Sequence, residues 1–270
     1  MEILRKLFAC KKMSTPETLS CPPPKPTNLW ERETNFGQQQ INISAYHGKQ
    51  DLLDALNQIG KNTMTTLDRM VSLWQQVCYI DAVKLPGALV ECGVWKGGAV
   101  GLMALAHMRK GQIPTRHLHL FDSFEGLPEP EAEHDGDLID AYANGRTGGQ
   151  LQSIGKCVGT LPEVEELFTT IRYPESLLHM HKGWFQTTVP QIAPTMGPIA
   201  VLRLDGDWYA STKVCLEHLF DNVVPGGFII LDDYGRWIGS KKATDEFAQQ
   251  RGFKPFMIRV DAACYYFIKK

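Results

Sequence analysis

From Leu85 onward the chain alternates short apolar runs with segments whose apolar residues recur at three- and four-residue steps. The runs predict strands at 88–93, 117–122, 177–182, 199–205, 226–232, 253–260 and 264–269. The periodic segments predict helices at 98–109, 162–172, 211–223 and 241–251. Strands separated by helices of this length pair in parallel through right-handed crossovers. Only "DAA" lies between the last two runs, too little for a crossover, so they form an antiparallel hairpin. The expectation is an α/β fold: a seven-stranded, mostly parallel sheet with an antiparallel last strand and helices on both faces.

Two helical patterns precede the sheet. "KQDLLDALNQIG" is short and ends on Gly60, while "TMTTLDRMVSLWQQVCYIDAV" carries a stripe of Leu67, Met70, Val71, Trp74, Val77 and Cys78. Core packing is the expected role of Met70 and Trp74. Upstream, "STPETLSCPPPKPTNL" has almost nothing to fill a core and reads as a linker. The chain therefore divides into a flexible Pro-rich extension (1–40), a helical lid or cap (41–84) and the sheet domain (85–270). Residues 131–160, with Gly145, Gly148 and Gly149, read as a long insertion of the kind that acts as a lid.

Composition narrows the function classes. An apolar fraction of 43% fills a sizeable core, and a formal charge of −2 gives no electrostatic case for nucleic acid or anionic membrane. Seven scattered cysteines without a C-x-x-C pair fit reduced thiols of a cytoplasmic protein rather than a zinc or disulfide framework. The apolar start "MEILRKLFACKKM" is broken by Arg5 and Lys6, and no run is long enough to span a membrane. A homo-oligomer, dimer or higher, is the expected assembly.

The chemistry begins at "GALVECGVWKGGAVGLMALA", an apolar run, a glycine turn and a helix-forming segment. Its spacing is G-x-x-x-G-G rather than the dinucleotide G-x-G-x-x-G. Gly93 permits a sharp turn, and Gly97 and Gly98 permit close approach to the helix. Glu91, at the end of the strand, repels pyrophosphate and attracts an ammonium group. S-adenosylmethionine has an ammonium and a sulfonium and no phosphate. Asp122 ends the next strand, where a carboxylate can accept both ribose hydroxyls. The last constellation is "LRLDGDWYAST" with "IILDDYG", which puts Asp205, Asp207, Asp232 and Asp233 at the carboxyl ends of adjacent strands. So many carboxylates need compensation, and a hard divalent cation such as Mg²⁺ supplies it. Asp205, Asp232 and Asp233 are the expected ligands; Asp207 is either a fourth or the cap of the helix at Ser211–Thr212.

Together "LVECGVWKGGA", "FDSFEGLP", "KGWF", "LRLDGDWYAST" and "PGGFIILDDYG" resemble the macrocin-type (TylF-type) sugar O-methyltransferases, from about Thr63 to Phe247. The resemblance implies a class I methyltransferase sheet, dependence on S-adenosylmethionine, and Mg²⁺ on Asp205, Asp232 and Asp233. It also implies donor contacts at Thr63, Met64, Glu91, Gly93, Asp122 and Ser123, with Val94, Trp95, Gly97, Gly183, Trp184 and Asp205 as further donor-site candidates. One departure is "GWFQTTVP", with Thr187 where the family has an aspartate. The implied reaction is in-line methyl transfer to a hydroxyl of a small molecule, a deoxysugar of a natural product by family, although catechols or other diols would serve the same metal chemistry. Asp205 is the expected general base, with His134 and His181 as alternatives. Trp184, Phe185, Trp208 and Tyr209 are expected to wall the cleft, and Trp208, Tyr209 and Tyr234 to meet the acceptor. A non-catalytic binding protein and an NAD-linked oxidoreductase are the competing readings.

Overall fold

The computed structural model describes residues 49–136 and 139–270; the expected Pro-rich extension lies outside them. Two helices come first, α1 (Lys49–Ile59) and α2 (Leu67–Ala82). The sheet domain then runs β1 (Ala88–Cys92), α3 (Gly98–Met108), β2 (Leu118–Asp122), α4 (Ala132–Asp135), α5 (Ile139–Tyr142), α6 (Leu161–Ile171) and β3 (Leu178–Lys182). It continues with α7 (Phe185–Met196), β4 (Ile199–Leu204), α8 (Tyr209–Leu219), β5 (Val223–Leu231), α9 (Ile238–Gln250), β6 (Ile258–Arg259) and β7 (Tyr265–Ile268). The strands lie in the order β3-β2-β1-β4-β5-β7-β6, parallel except for β7, which is antiparallel to both β5 and β6.

Every residue of β1 and β4 is buried, as expected for strands covered on both faces. One face packs Leu89, Leu120, Val201 and Ile230 against Ile59, Met70, Trp74, Val100 and Phe168 of α1, α2, α3 and α6. Met70 and Trp74 are core residues, as their spacing implied. The other face packs Val90, Phe121, Leu202 and Ile229 against Val189, Leu216 and Phe247 of α7, α8 and α9. The 131–160 insertion has a small core of its own, in which Ile139, Ala143 and Ile154 close over Leu127 and Trp208.

Two elements depart from expectation. Helix α7 was not anticipated because Pro190 and Pro194 lie inside it. Each proline removes one intrahelical donor, yet Phe185, Val189 and Ala193 keep a four-residue spacing and are buried. Burial of that stripe holds the helix together. The expected strand 253–260 shrinks to Ile258–Arg259. Pro255 lacks a ladder donor, and Phe253 instead stacks on Phe220 with ring centroids 5.3 Å apart.

Candidate active site

The carboxyl ends of β1 and β4 almost touch. Gly93 adopts φ 94°, and a Cβ there would fall 1.8 Å from the Asp205 carbonyl oxygen. Its N–H donates to Phe121 O at 2.9 Å, while the Asp205 N–H donates to Cys92 O at 2.8 Å. Only glycine fits this crossing. After it, the N–H groups of Val94 and Trp95 donate to Asp122 Oδ2 at 2.7 and 3.0 Å, and that of Phe124 donates to Oδ1 at 2.7 Å. Asp122 therefore clamps the glycine loop with the same carboxylate that faces the cavity. Burial pushes its carboxyl up, and these backbone donors oppose the rise.

At Gly97 and Gly98 the space that a side chain would take is already occupied by protein. A Cβ on Gly97 would meet Leu167 and Val164 at 3.2 and 3.3 Å, and one on Gly98 would fall 2.4 Å from Asn62 O. The Gly98 N–H donates to that oxygen at 2.9 Å. Protein fills the space, and the consequence is that the segment leading into α2 lies against the loop and presents Thr63 and Met64.

A cavity of about 440 Å³ opens at the carboxyl ends of the strands. Thr63, Met64, Glu91, Gly93, Val94, Trp95, Asp122, Ser123, Gly183, Trp184 and Asp205 line it, as do Phe185, Asp207, Asp232 and Asp233. Sequence elements far apart in the chain thus converge on one space.

Its floor is organised by a residue the sequence reading overlooked. Arg203 is buried on β4; its Nη1 donates to Glu91 Oε1 at 2.5 Å and to Asp205 Oδ2 at 2.8 Å, and its Nη2 to Asp232 Oδ1 at 2.6 Å. Arg69, on the first turn of α2, takes the other oxygen of Asp232 and also pairs with Asp261 at 2.7 Å. A signal for Arg203 existed: an arginine inside the apolar, doubly buried run "AVLRLD" must find carboxylates.

The expected metal set was Asp205, Asp232 and Asp233, with Asp207 as a fourth ligand or a helix cap. Asp232 is held at both oxygens, whereas carboxylate oxygens of Asp205, Asp207 and Asp233 converge to within 4.8 Å of one another. Asp207 reaches the cluster from a left-handed backbone, φ 58°. Its N–H donates to Asp233 Oδ2 at 3.0 Å, and Trp237 Nε1 donates to its Oδ1 at 2.5 Å. Burial and then the neighbouring carboxylates push Asp205 up to about 6 and Asp207 up to about 7, and raise Asp233 as well. The Asp205 side chain keeps 30% of its surface open, so solvent tempers its share of the repulsion. Three hard oxygen donors with no His or Cys fit a cation of the Mg²⁺ type. Burial lifts Glu91 to about 8 despite Arg203, and its Oε2 is buried without a partner.

A model of the macrocin-O-methyltransferase (TylF) family matches residues 3–269. The chain belongs to that family. It is 38% identical over 173 residues to the 8-demethyl-8-(2,3-dimethoxy-alpha-L-rhamnosyl)-tetracenomycin-C 4'-O-methyltransferase of Streptomyces olivaceus, a match covering 64% of this chain and 62% of that protein. It is 32% identical over 200 residues to the demethyldecarbamoylnovobiocin O-methyltransferase of Streptomyces niveus, covering 74% and 72%. The solved structure of the O-methyltransferase NovP superposes with a TM-score of 0.66 at 29% identity, covering 77% of this chain and 82% of that one. The sheet order is accordingly that of class I O-methyltransferases.

Within this family fold, several expected residues sit elsewhere. Trp208 fills the core of the insertion, its Nε1 donating to Pro128 O at 3.0 Å. The Tyr209 N–H donates to Asp135 Oδ1 at 2.7 Å and its hydroxyl to Glu246 at 2.6 Å. Tyr234 donates to Asp245 at 2.8 Å. None of the three lines the cavity; Tyr142, Arg236 and Trp237 do. The alternative bases leave as well. His134 packs tilted against Tyr209 with ring centroids 4.2 Å apart, and His181 stacks on Phe121 at 4.3 Å and pairs with His119.

Proposed function

We propose that the chain transfers the methyl group of S-adenosylmethionine to a hydroxyl of a small molecule, a sugar of a natural product, with a divalent cation of the Mg²⁺ type at Asp205, Asp207 and Asp233. The observation that carries the reading is one cavity in which Glu91, with a buried free oxygen, stands beside a converging set of three carboxylates. The two Streptomyces relatives, a rhamnosyl-tetracenomycin-C 4'-O-methyltransferase and a demethyldecarbamoylnovobiocin O-methyltransferase, support the acceptor class.

The residues divide the work. Thr63, Met64 and the Gly93–Trp95 turn enclose the donor, Asp122 meets its ribose, and Glu91 Oε2 takes its ammonium group. Excluding water and aligning oxygen, methyl carbon and sulfur lowers the barrier of an in-line displacement. Asp205, held up near the neutral range, is matched to accepting the acceptor's hydroxyl proton. A hard divalent cation, when bound, supplies Lewis acidity toward that hydroxyl. The helices before the sheet act as a cap, since their connecting segment and α2 bring Thr63, Met64 and Arg69 to the cavity. The thiols fit a cytoplasmic home, and a homo-oligomer is the assembly we expect.

Thermal-shift titrations with S-adenosylhomocysteine, NAD and Mg²⁺ test the reading. Stabilisation by NAD and not by S-adenosylhomocysteine would sink it. In Asp205→Asn, transfer of labelled methyl to a panel of vicinal-diol glycosides should collapse while S-adenosylhomocysteine binding survives. A chain that binds the donor but transfers nothing to any acceptor would instead be a binding protein.

A further inference from the structure

Trp237, the residue before α9, joins the carboxylate cluster to the insertion. Its backbone returns onto the cluster, for the N–H groups of Arg236 and Trp237 both donate to Asp233 O at 2.9 Å. Its side chain reaches the neighbouring loop, where Nε1 donates to Asp207 Oδ1 at 2.5 Å. One residue is therefore tied to two of the three converging carboxylate residues, Asp207 after β4 and Asp233 after β5. Both Trp237 and Asp207 line the cavity, and among the described residues no protein donor reaches the other Asp207 oxygen.

Packing alone needs only the ring of a tryptophan, yet here the indole N–H is aimed at a crowded acid. Asp207 holds a left-handed φ of 58°, which a residue other than glycine keeps only where its surroundings fix it. The carboxylates of Asp205 and Asp233 repel its own, so an unheld side chain would swing toward water. The indole donor opposes that swing, as does the Asp207 N–H bond to Asp233 Oδ2 at 3.0 Å. The same indole packs against the core of the insertion. Its ring lies edge-on to Trp208 with centroids 5.1 Å apart, and 5.5 Å from that of Tyr142. The insertion thus sets the place of the indole, and the indole sets the place of Asp207.

We propose that Trp237 is a positioning residue for the cation site: its N–H aims Asp207 into the cluster, and its ring makes that aim depend on the packed insertion. This rests on the divalent-cation reading above and deepens it. Hydrogen-bond partners behind metal ligands typically govern about 10- to 100-fold in affinity.

Calorimetry with Mg²⁺ on the full chain saturated with S-adenosylhomocysteine tests the assignment. Trp237→Phe keeps a ring against the insertion and removes the donor, so Mg²⁺ should bind about tenfold or more weakly. Its S-adenosylhomocysteine affinity should stay near wild type, because the donor wall lies on β1, β2 and the segment before α2. Trp208→Phe is the control, since it takes the adjoining indole N–H from Pro128 O rather than from a carboxylate. Asp207 keeps its donor there, and Mg²⁺ affinity should stay within about twofold of wild type. In spectra of protein carrying isotope-labelled tryptophan, the indole N–H signal missing from Trp237→Phe should shift when Mg²⁺ is added. Mg²⁺ binding to Trp237→Phe as tightly as to wild type would overturn the proposal. Equal losses in both variants would show only a loosened insertion and overturn the role of the donor. If wild type takes up no Mg²⁺, the cation reading falls, and the link to Asp207 is read from urea unfolding instead. There Trp237→Phe and Asp207→Gly, which suits the left-handed backbone, should be non-additive by about fivefold or more in the unfolding constant. Additive effects would overturn the link as well.

Discussion

One nitrogen of Arg203 lies 2.5 Å from Glu91 Oε1 and 2.8 Å from Asp205 Oδ2, so a single guanidinium ties the carboxyl end of β1 to that of β4. The remaining nitrogen holds Asp232. With this cation in place, five neighbouring carboxylates can share one floor. Replacing Arg203 with Met strands Glu91 and Asp205 and leaves Asp232 to Arg69 alone, and breaking a buried pair on one side costs about 3–5 kcal/mol. Urea unfolding should show that loss, with Arg203→Lys recovering part of it, since lysine keeps the charge but lacks the fork. An Arg203→Met chain as stable as wild type would mean that these pairs hold nothing together.

The cation ligands give a second, discriminating experiment. Asp207→Asn should abolish Mg²⁺ binding measured by calorimetry. Asp232→Asn should retain binding and lose stability, because Arg69 and Arg203 each lose a carboxylate partner. The reverse outcome would restore the set expected from the sequence alone and would mean that Asp232 leaves its arginines when the ion arrives.

Stability should fall with rising pH in the ligand-free protein, within a definite window. Asp205, Asp207 and Glu91 are raised to about 6, 7 and 8 in the folded chain. The folded state then holds protons that the unfolded state has lost, so their contribution fades as pH rises through those values. Three histidines oppose this at lower pH: burial pushes His119 and His181 down to about 3 and about 4 and lowers His179 as well, and their contribution grows until about 6.5. Above 6.5 the carboxylates act alone. Between pH 6.5 and 8 the loss approaches about 1.4 kcal/mol per pH unit for each proton involved, before solvent screening reduces it. Urea midpoints at pH 6.5 and 8 measure it, and Mg²⁺ should flatten the slope. Stability that climbs over this interval would contradict the arrangement of the floor.

Much of this was legible along the chain, for reasons that separate the successes from the misses. Glu91, Asp122 and Asp205 end buried strands, and a strand end fixes where a side chain stands in a parallel sheet. The terminal hairpin followed from a linker too short for a crossover. What escaped depends on side-chain choices between distant segments. Whether Asp207 or Asp232 joins the cluster is decided by Arg69, which arrives from a helix far upstream. Trp208 and Tyr209 adjoin the site in sequence, yet each has a better-packed place, one beneath the insertion and one against His134. Helix α7 was hidden by prolines whose penalty its buried stripe overcomes.

The seam between the insertion and the start of α8 yields the last prediction. Asp135 accepts from the Tyr209 N–H at 2.7 Å and from the Glu131 N–H at 2.9 Å, so one buried carboxylate joins the insertion to the start of α8. Gly239 of α9 makes room for it, since a Cβ there would fall 1.7 Å from Asp135 Oδ1. Gly239→Ala must push the carboxylate away and strand both donors. Overpacking at such a contact costs about 1–3 kcal/mol, more than the small gain in helix propensity from alanine. Hydrogen exchange should accelerate at the Tyr209 amide and across 131–160, while S-adenosylhomocysteine affinity stays near wild type, because the donor wall is built from β1, β2 and the segment before α2. Unchanged protection at Tyr209 would show that the seam does not depend on Asp135.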